Sequence, residues 1–259
     1  MNTQETETIS QVLPRKGLSG PQIQDMYELL TRYFEGVTDA QFERDLTEKN
    51  YVILLTRATE LVGFSTLLAY EASFERAPVS VVYSGDTIVA QEAWGTAALP
   101  RAWIAAVNQL RTTVPRGSYY WLLLTSGFRT YRFLPLFWRE FYPCFERPTP
   151  PDKQRLLEHL ARERFGTQYE PQSGVVHFTQ PQRLRAELSQ IPEGRISDPH
   201  VRFFATRNPG HARGDELVCL TKLAPENLTV AGRRMVTPKP SSVHLPLRAR
   251  SEWGETCSI

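Results

Sequence analysis

The sequence predicts an α+β domain: a central, mixed but mostly antiparallel sheet flanked by helices, followed by an α/β extension. Three observations carry that reading. YVILL (51–55), LVGFSTLLAY (61–70) and VSVVYSGDTIVA (79–90) are β-rich runs separated by short polar breaks, the pattern of a largely antiparallel meander. Apolar residues at helical spacing stand on both sides of that block: Ile23, Met26, Tyr27, Leu30, Tyr33 and Phe34 before it, and Leu99, Ala102, Trp103, Ala106 and Leu110 after it. With 41% hydrophobic residues, a chain of 259 can bury a sizeable core, which excludes disorder throughout.

Residues 1–8 read as a flexible N-terminus, and ISQVL from Ile9 as an edge strand. Ser19-Gly-Pro-Gln22 is a capping box with Pro21 in the first turn, and it opens the first helix. Thr38-Asp-Ala-Gln41 is a second box, opening a shorter helix that carries Phe42 and Leu46 and ends near Asn50. After the three strands, Pro100 places the next helix start near residues 96–99, because proline is tolerated only in a first turn. Pro115 and Gly117 end that region, and YYWLLLTSG (119–127) is the most apolar strand. A helix is expected from about Thr130 to Tyr142, stopped by Pro143. ERPTPP is the one clear linker. Beyond it come a helix with Leu156, Leu157, Leu160 and Phe165, a strand VVHF (175–178) and a helix over about 182–190. HVRFFATR (200–207) and DELVCLTKL (215–223) then read as a hairpin. From about Thr237 the chain is rich in Pro, Ser and Arg without periodicity, a flexible tail. The domain reading is a core over 9–145, an extension over 146–236 that completes it or packs on it, and a tail over 237–259.

Charge and composition narrow the function. Thirty Lys+Arg against 28 Asp+Glu leave a net +2, so no global field singles out nucleic acid. Cys144, Cys219 and Cys257 are too scattered for a disulfide framework or a zinc site. The five histidines show no zinc-ligand spacing, so no metal is expected. The N-terminus is polar and acidic, unlike a signal peptide, and no apolar run approaches the roughly 20 residues of a membrane span. The expectation is a cytoplasmic globular protein.

Three stretches carry chemistry. LVGFSTLL (61–68) leads into Glu92-Ala-Trp-Gly95-Thr-Ala97, and TSGFRTYRFLPLFWREFYP (125–143) follows the apolar strand. Together with the element order, they resemble the GNAT acyltransferase fold over roughly residues 9–145. The resemblance implies transfer of an acyl group from acyl-CoA, or from a phosphopantetheine-bound donor on an acyl carrier protein, to an amine on a peptide or small molecule. Gly95 and Ala97 match the family's donor motif, whereas Glu92 stands where the family keeps Arg or Gln. The usual strand-end Asn is Thr125 or Ser126 here, and Trp138 falls near the family's tyrosine acid.

The residues themselves support a donor site. A helix start supplies free amides to a phosphate, here those of Gly95, Thr96, Ala97 and Ala98. Arg129 and Arg132 are better placed than Arg101 to add positive charge. The resemblance implies that Thr125 and Ser126 border the path of the pantetheine arm. Asp86 is the only carboxylate in its β-rich run and is the candidate base, although Ser84-Gly-Asp86 is also turn chemistry. Tyr131, ahead of Tyr142, is the candidate acid for the leaving thiolate. The aromatic density of 133–142 fits core packing or the wall of a tunnel for a fatty acyl chain. A GNAT-like binding module without turnover is the competing reading, favoured by Glu92, Trp138 and the missing Asn.

Overall fold

The computed structural model describes residues 7–113 and 117–236. The stretches 1–6 and 237–259, where much of the expected flexible N-terminus and all of the tail fall, lie outside the described residues.

β1 (Thr8–Pro14) forms the sheet edge predicted for ISQVL. α1 (Gly20–Tyr33) starts at the expected box: the Ser19 N–H donates to Gln22 Oε1 at 2.9 Å, and the Gln22 N–H to Ser19 Oγ at 3.4 Å. Its apolar stripe buries Met26, Leu29, Leu30 and Tyr33. The short β2 (Phe34–Glu35) and α2 (Asp39–Thr47) follow, and α2 buries Phe42 and Leu46.

β3 (Tyr51–Arg57), β4 (Glu60–Phe74) and β5 (Ala77–Val89) are the antiparallel meander. One irregularity matters. Ser65 faces Thr87 but Leu67 faces Ser84, so Thr66 alone stands opposite Gly85 and Asp86. An extra residue on one strand bends it and increases its twist. α3 (Ala98–Thr113) follows, with Pro100 in its first turn. β6 (Ser118–Thr125) then lies parallel to β5, from Val79 opposite Ser118 to Ser84 opposite Leu123.

The continuous helix expected over 130–142 is broken. It is replaced by α4 (Phe128–Tyr131), α5 (Phe133–Phe137) and the strand β7 (Phe141–Tyr142). Pro135 supplies the reason: it has no N–H to return to Tyr131, so a helix cannot run unbroken across Arg132.

α6 (Pro151–Phe165) begins right after the Pro-rich linker. Then come β8 (Tyr169–Glu170), β9 (Val175–Val176), β10 (Arg183–Leu184), α7 (Ala186–Ser189), α8 (Glu193–Ile196), α9 (Pro199–Arg207), β11 (Glu216–Lys222) and α10 (Val230–Met235). The expected helix over 182–190 exists only as α7, because Arg183 and Leu184 pair with β2. The first arm of the expected hairpin is a helix. Asp198 caps it through the His200 N–H at 3.0 Å, Pro199 fills its first turn, and Val201 and Phe204 are buried one turn apart. Capping and a three-residue apolar period outweigh the β-propensity of its Val-Arg-Phe-Phe run.

β11 pairs instead with β6, Leu217 opposite Thr125 through Lys222 opposite Tyr120. The main sheet runs β1-β3-β4-β5-β6-β11-β9-β8, and β5–β6 is its parallel pair. The larger core gathers α1, α2 and α3 around Phe64, Val82 and Trp121. On the other side α6 packs Leu156, Leu157, Leu160 and Phe165 against Val81, Tyr83, Leu122 and Val218. A side chain buried as completely as Leu160 contributes about 1.5–3 kcal/mol.

Candidate functional site

β5 and β6 are paired only as far as Ser84 and Leu123. Past that rung β5 stays with β4 up to Val89, while β6 stays with β11 up to Thr125. The facing edges of residues 85–89 and 124–125 are thus left without ladder partners among the described residues. The bulge at Gly85 and Asp86 opens this split from one side. On the other side Asn208, fully buried, ties the end of β6 to the start of β11: its Nδ2 donates to Thr125 O at 3.4 Å and to Asp215 O at 2.7 Å.

The loop from β5 to α3 lies beyond the split on the β5 side. Gly95 has φ +81°, which an L side chain rarely adopts, and a Cβ there would meet nothing within 4 Å. Backbone is therefore open to a ligand at this point. Gly95, Thr96 and Ala97 are exposed and Ala98 is partly so. Their four amides make no hydrogen bond to other described residues, as expected ahead of a helix's first turn. Thr96 Oγ1 is engaged with Ala93 O at 3.0 Å.

Arg129 comes to this loop from α4. Its guanidinium lies 4.5 Å from the Trp94 ring and 4.7 Å from that of Phe128, while Nη1 donates to Leu188 O at 3.3 Å. Trp94 is itself fixed by its indole N–H on Val89 O at 2.7 Å. Partial burial, with Arg195 adding a second positive charge, lowers the Arg129 pKa, so an anion arriving here would relieve repulsion between like charges.

Arg132 does not join it. Its Nε is paired with Asp198 Oδ2 at 2.9 Å, where it braces the capping residue of α9. Tyr131 is also elsewhere. It is fully buried among Phe141, Phe203 and Phe204 and donates its hydroxyl to Pro143 O at 2.9 Å. Burial raises its pKa far above the usual phenol range, so it is poorly suited to pass a proton to a thiolate. Thr125 Oγ1 is turned back onto Gly127 O at 2.8 Å, and Ser126 is partly exposed at the strand end. Phe133 and Trp138 pack with Trp103 and Trp121, the last two rings 4.1 Å apart, and Phe137 packs on Phe133 and Trp138, so the three fill core at this point. Glu92 sits on an exposed turn and accepts at its carbonyl from Arg57 Nη1 at 3.0 Å.

Asp86 lies on the bulge at the first unpaired rung. Burial pushes its carboxyl up to about 6, Lys49 holding it down and Asp45 raising it. Residues with no functional signature in the sequence gather around it. Lys49 is only 6% exposed, its Nζ bonded to Asp45 O at 2.8 Å and 5.5 Å from the Tyr83 ring. Arg164 of α6 stacks 4.9 Å over the same ring and is paired with Glu48. Glu216 of β11 is raised to about 8, by burial first and by Asp86 second.

The described residues contain no group of three His, Cys, Asp or Glu able to hold a metal, and no helix long and apolar enough to cross a membrane. No family model matches the chain, and no curated protein does. Among solved structures it is similar to a conserved protein of Enterococcus faecalis V583, a probable N-acyltransferase. That match has 13% identity and TM-score 0.40, covering 52% of this chain and 33% of that one. Escherichia coli ElaA matches at 17% identity and TM-score 0.36, over 56% and 95%. The E. coli GNAT family N-acetyltransferase YhbS, solved in complex with CoA, matches at 13% and TM-score 0.34, over 49% and 67%. The chain thus spans about a third of the first of these proteins.

Proposed function

We propose that the chain is an N-acyltransferase that takes an acyl group from an acyl-CoA and passes it to an amine. The observation that carries this is the split between β5 and β6, with the open amides beside Gly95 and the stacked Arg129 near its mouth and Asp86 at its floor. Unpaired strand edges suit an extended pantetheine arm, which they would bind as they bind an added strand. The amides of Gly95, Thr96, Ala97 and Ala98 suit its phosphates, and Arg129 supplies a charge-assisted contact. Thr125 and Ser126 border the arm's path.

Asp86 accepts a proton from the acceptor's ammonium. The freed nitrogen attacks the thioester carbon and the carbon–sulfur bond breaks. The nitrogen's second proton leaves as the amide forms, and the departing thiolate is protonated through water. A carboxylate with its pKa near 6 is mostly ionised at neutral pH yet basic enough to assist. A carrier protein would present the same phosphopantetheine chemistry and is the second donor form. The packing of Phe133, Phe137 and Trp138 supports a short acyl group over a fatty one, since a long chain directed there would have to part those rings. For the acceptor we keep both a small amine and a peptide amine.

The burial of Tyr131 favours one rival reading, a binding module that holds the donor without turnover. Titrating the protein with acetyl-CoA, then following thiol release with a panel of amines, decides between them. Binding with amine-dependent release supports the enzyme, binding alone supports the module, and no binding refutes both.

A further inference from the structure

Lys49 is buried, yet among the described residues its ammonium has a single hydrogen bond, to the carbonyl of Asp45. Burying such a charge is costly unless something nearby compensates: burial, with Arg164 second, lowers the Lys49 pKa, and Asp86, Glu48 and Asp45 act in the opposite direction to keep it charged. The surroundings show how the side chain is accommodated. A Cβ at Gly85 would stand 2.5 Å from Lys49 Cε, 3.3 Å from Nζ and 2.6 Å from Thr66 Oγ1. Gly85 is therefore a glycine for space: its φ is not in the left-handed region, and the missing side chain is the room the lysine stem occupies. Thr66 Oγ1, buried and without a hydrogen-bond partner, closes the same niche. The ammonium is thus held next to the residue preceding Asp86, on the bulge where β5 leaves β6.

We propose that Lys49 is a positioning residue for the acyl-transfer site, a fixed countercharge that keeps the Asp86 carboxylate ionised for proton abstraction, with Gly85 present to admit it. This rests on the reading of Asp86 as the base. The other groups facing the cluster do not supply that charge. Asp45 and Glu48 from the end of α2 are acidic, and Tyr70 on β4 and Tyr83 on β5 are held neutral by burial. Glu216 on β11 stays protonated to about pH 8 and carries no charge while Asp86 titrates. Glu163 on α6 is acidic. Of the other cations, Arg164 is engaged with Glu48 and stacked on Tyr83, and Arg44 acts on Asp45.

The test is the carboxyl titration of Asp86 by carbon NMR in the full chain, assigned with Asp86→Asn. Lys49→Met should raise the midpoint by about one unit or more, the usual effect of removing a near opposite charge. Gly85→Ala should raise it too, since the new methyl displaces the lysine stem. A midpoint that stays put or falls in the folded variants overturns the inference. If neither variant folds, the wild-type chain decides: the Lys49 Nζ resonance should shift at the Asp86 midpoint, and silence there is equally fatal. Turnover is a separate readout. With the Asp86 midpoint raised to near 7, Lys49→Met should lose about half its rate at pH 7 and more at pH 6. If the carboxyl midpoint moves while the acid limb of turnover does not, the base reading fails and the Lys49–Asp86 pairing stands.

Discussion

The two ends of the β5–β6 split are made of different material. Near the mouth the groups offered to a ligand are backbone amides of one short loop, exposed and contiguous in sequence, with Arg129 leaning in from a neighbouring helix. At the floor they are ionisable side chains drawn from α2 and the residues just after it, β5, α6 and β11, largely removed from water and holding one another's charge states. A mouth of this kind works through geometry and barely depends on pH. A floor of this kind works through charge, so each substitution there moves several groups together. Predictions that separate the ends should therefore differ in kind: affinity without pH dependence at the mouth, pH dependence without loss of affinity at the floor.

The largest effect is expected at the floor. Asp86→Asn keeps the size of the side chain and removes the proposed base, and should lower turnover at neutral pH by roughly a hundred- to ten-thousandfold. Donor affinity by calorimetry should stay within about twofold, and part of the rate should return as pH rises and the acceptor deprotonates by itself. Native turnover across pH in the folded variant would reduce Asp86 to a bulge residue. At the mouth, Gly95→Val forces a β-branched residue into φ +81° and puts methyls where phosphate would approach. Donor affinity should fall by roughly ten- to a hundredfold, in line with one or two lost charge-assisted contacts. Arg129→Ala should cost about tenfold, more at low salt than at high salt. Unchanged affinity in both folded variants would remove this loop from the site.

The floor also predicts how stability follows pH. Asp86 and Glu216 are both raised above their unfolded values, to about 6 and about 8. The folded chain therefore holds these protons longer than the unfolded chain. Their contribution is complete below the ordinary carboxylate range and is lost as pH rises through the folded values. The thermal midpoint should decline between about pH 4 and 8, and the double variant Asp86→Asn/Glu216→Gln should flatten that decline. A midpoint that climbs over this range, with no flattening in the double variant, contradicts the burial of these carboxyls.

The same contrast explains what was legible in the sequence. The turn and helix start at the mouth were readable because Gly95 and Pro100 act through local backbone rules, as did the two capping boxes and the three meander strands. At the floor only Asp86 was singled out, because Lys49, Arg164 and Glu216 join it through tertiary packing, and Lys49 at a helix end reads as an ordinary dipole-complementing cation. Where the fold was misread, a local signal was present and outweighed. Pro135 breaks the helix expected over 130–142, and Asp198-Pro199 starts a helix in a segment whose Val-Arg-Phe-Phe run reads as strand.

The smallest expected effect tests a residue that the sequence placed at the site and the structure places in the core. Tyr131 sits on α4 two residues after Arg129, close enough in sequence to suggest a shared task. Helix geometry sends the two side chains different ways: the guanidinium reaches the Trp94 ring, while the phenol turns inward to donate to Pro143 O. Tyr131→Phe keeps the packing against Phe141 and Phe204 and removes one buried hydrogen bond. That should cost about 1 kcal/mol, or roughly 2–4 °C in thermal midpoint for a chain of this size. Turnover and its alkaline limb should stay within about twofold of wild type, because a phenol raised this far by burial holds its proton too tightly to release it to a thiolate. A tenfold fall in turnover at unchanged stability would mean that Tyr131 reaches the thiolate in the donor complex, and the boundary between site and core would have to be redrawn through α4.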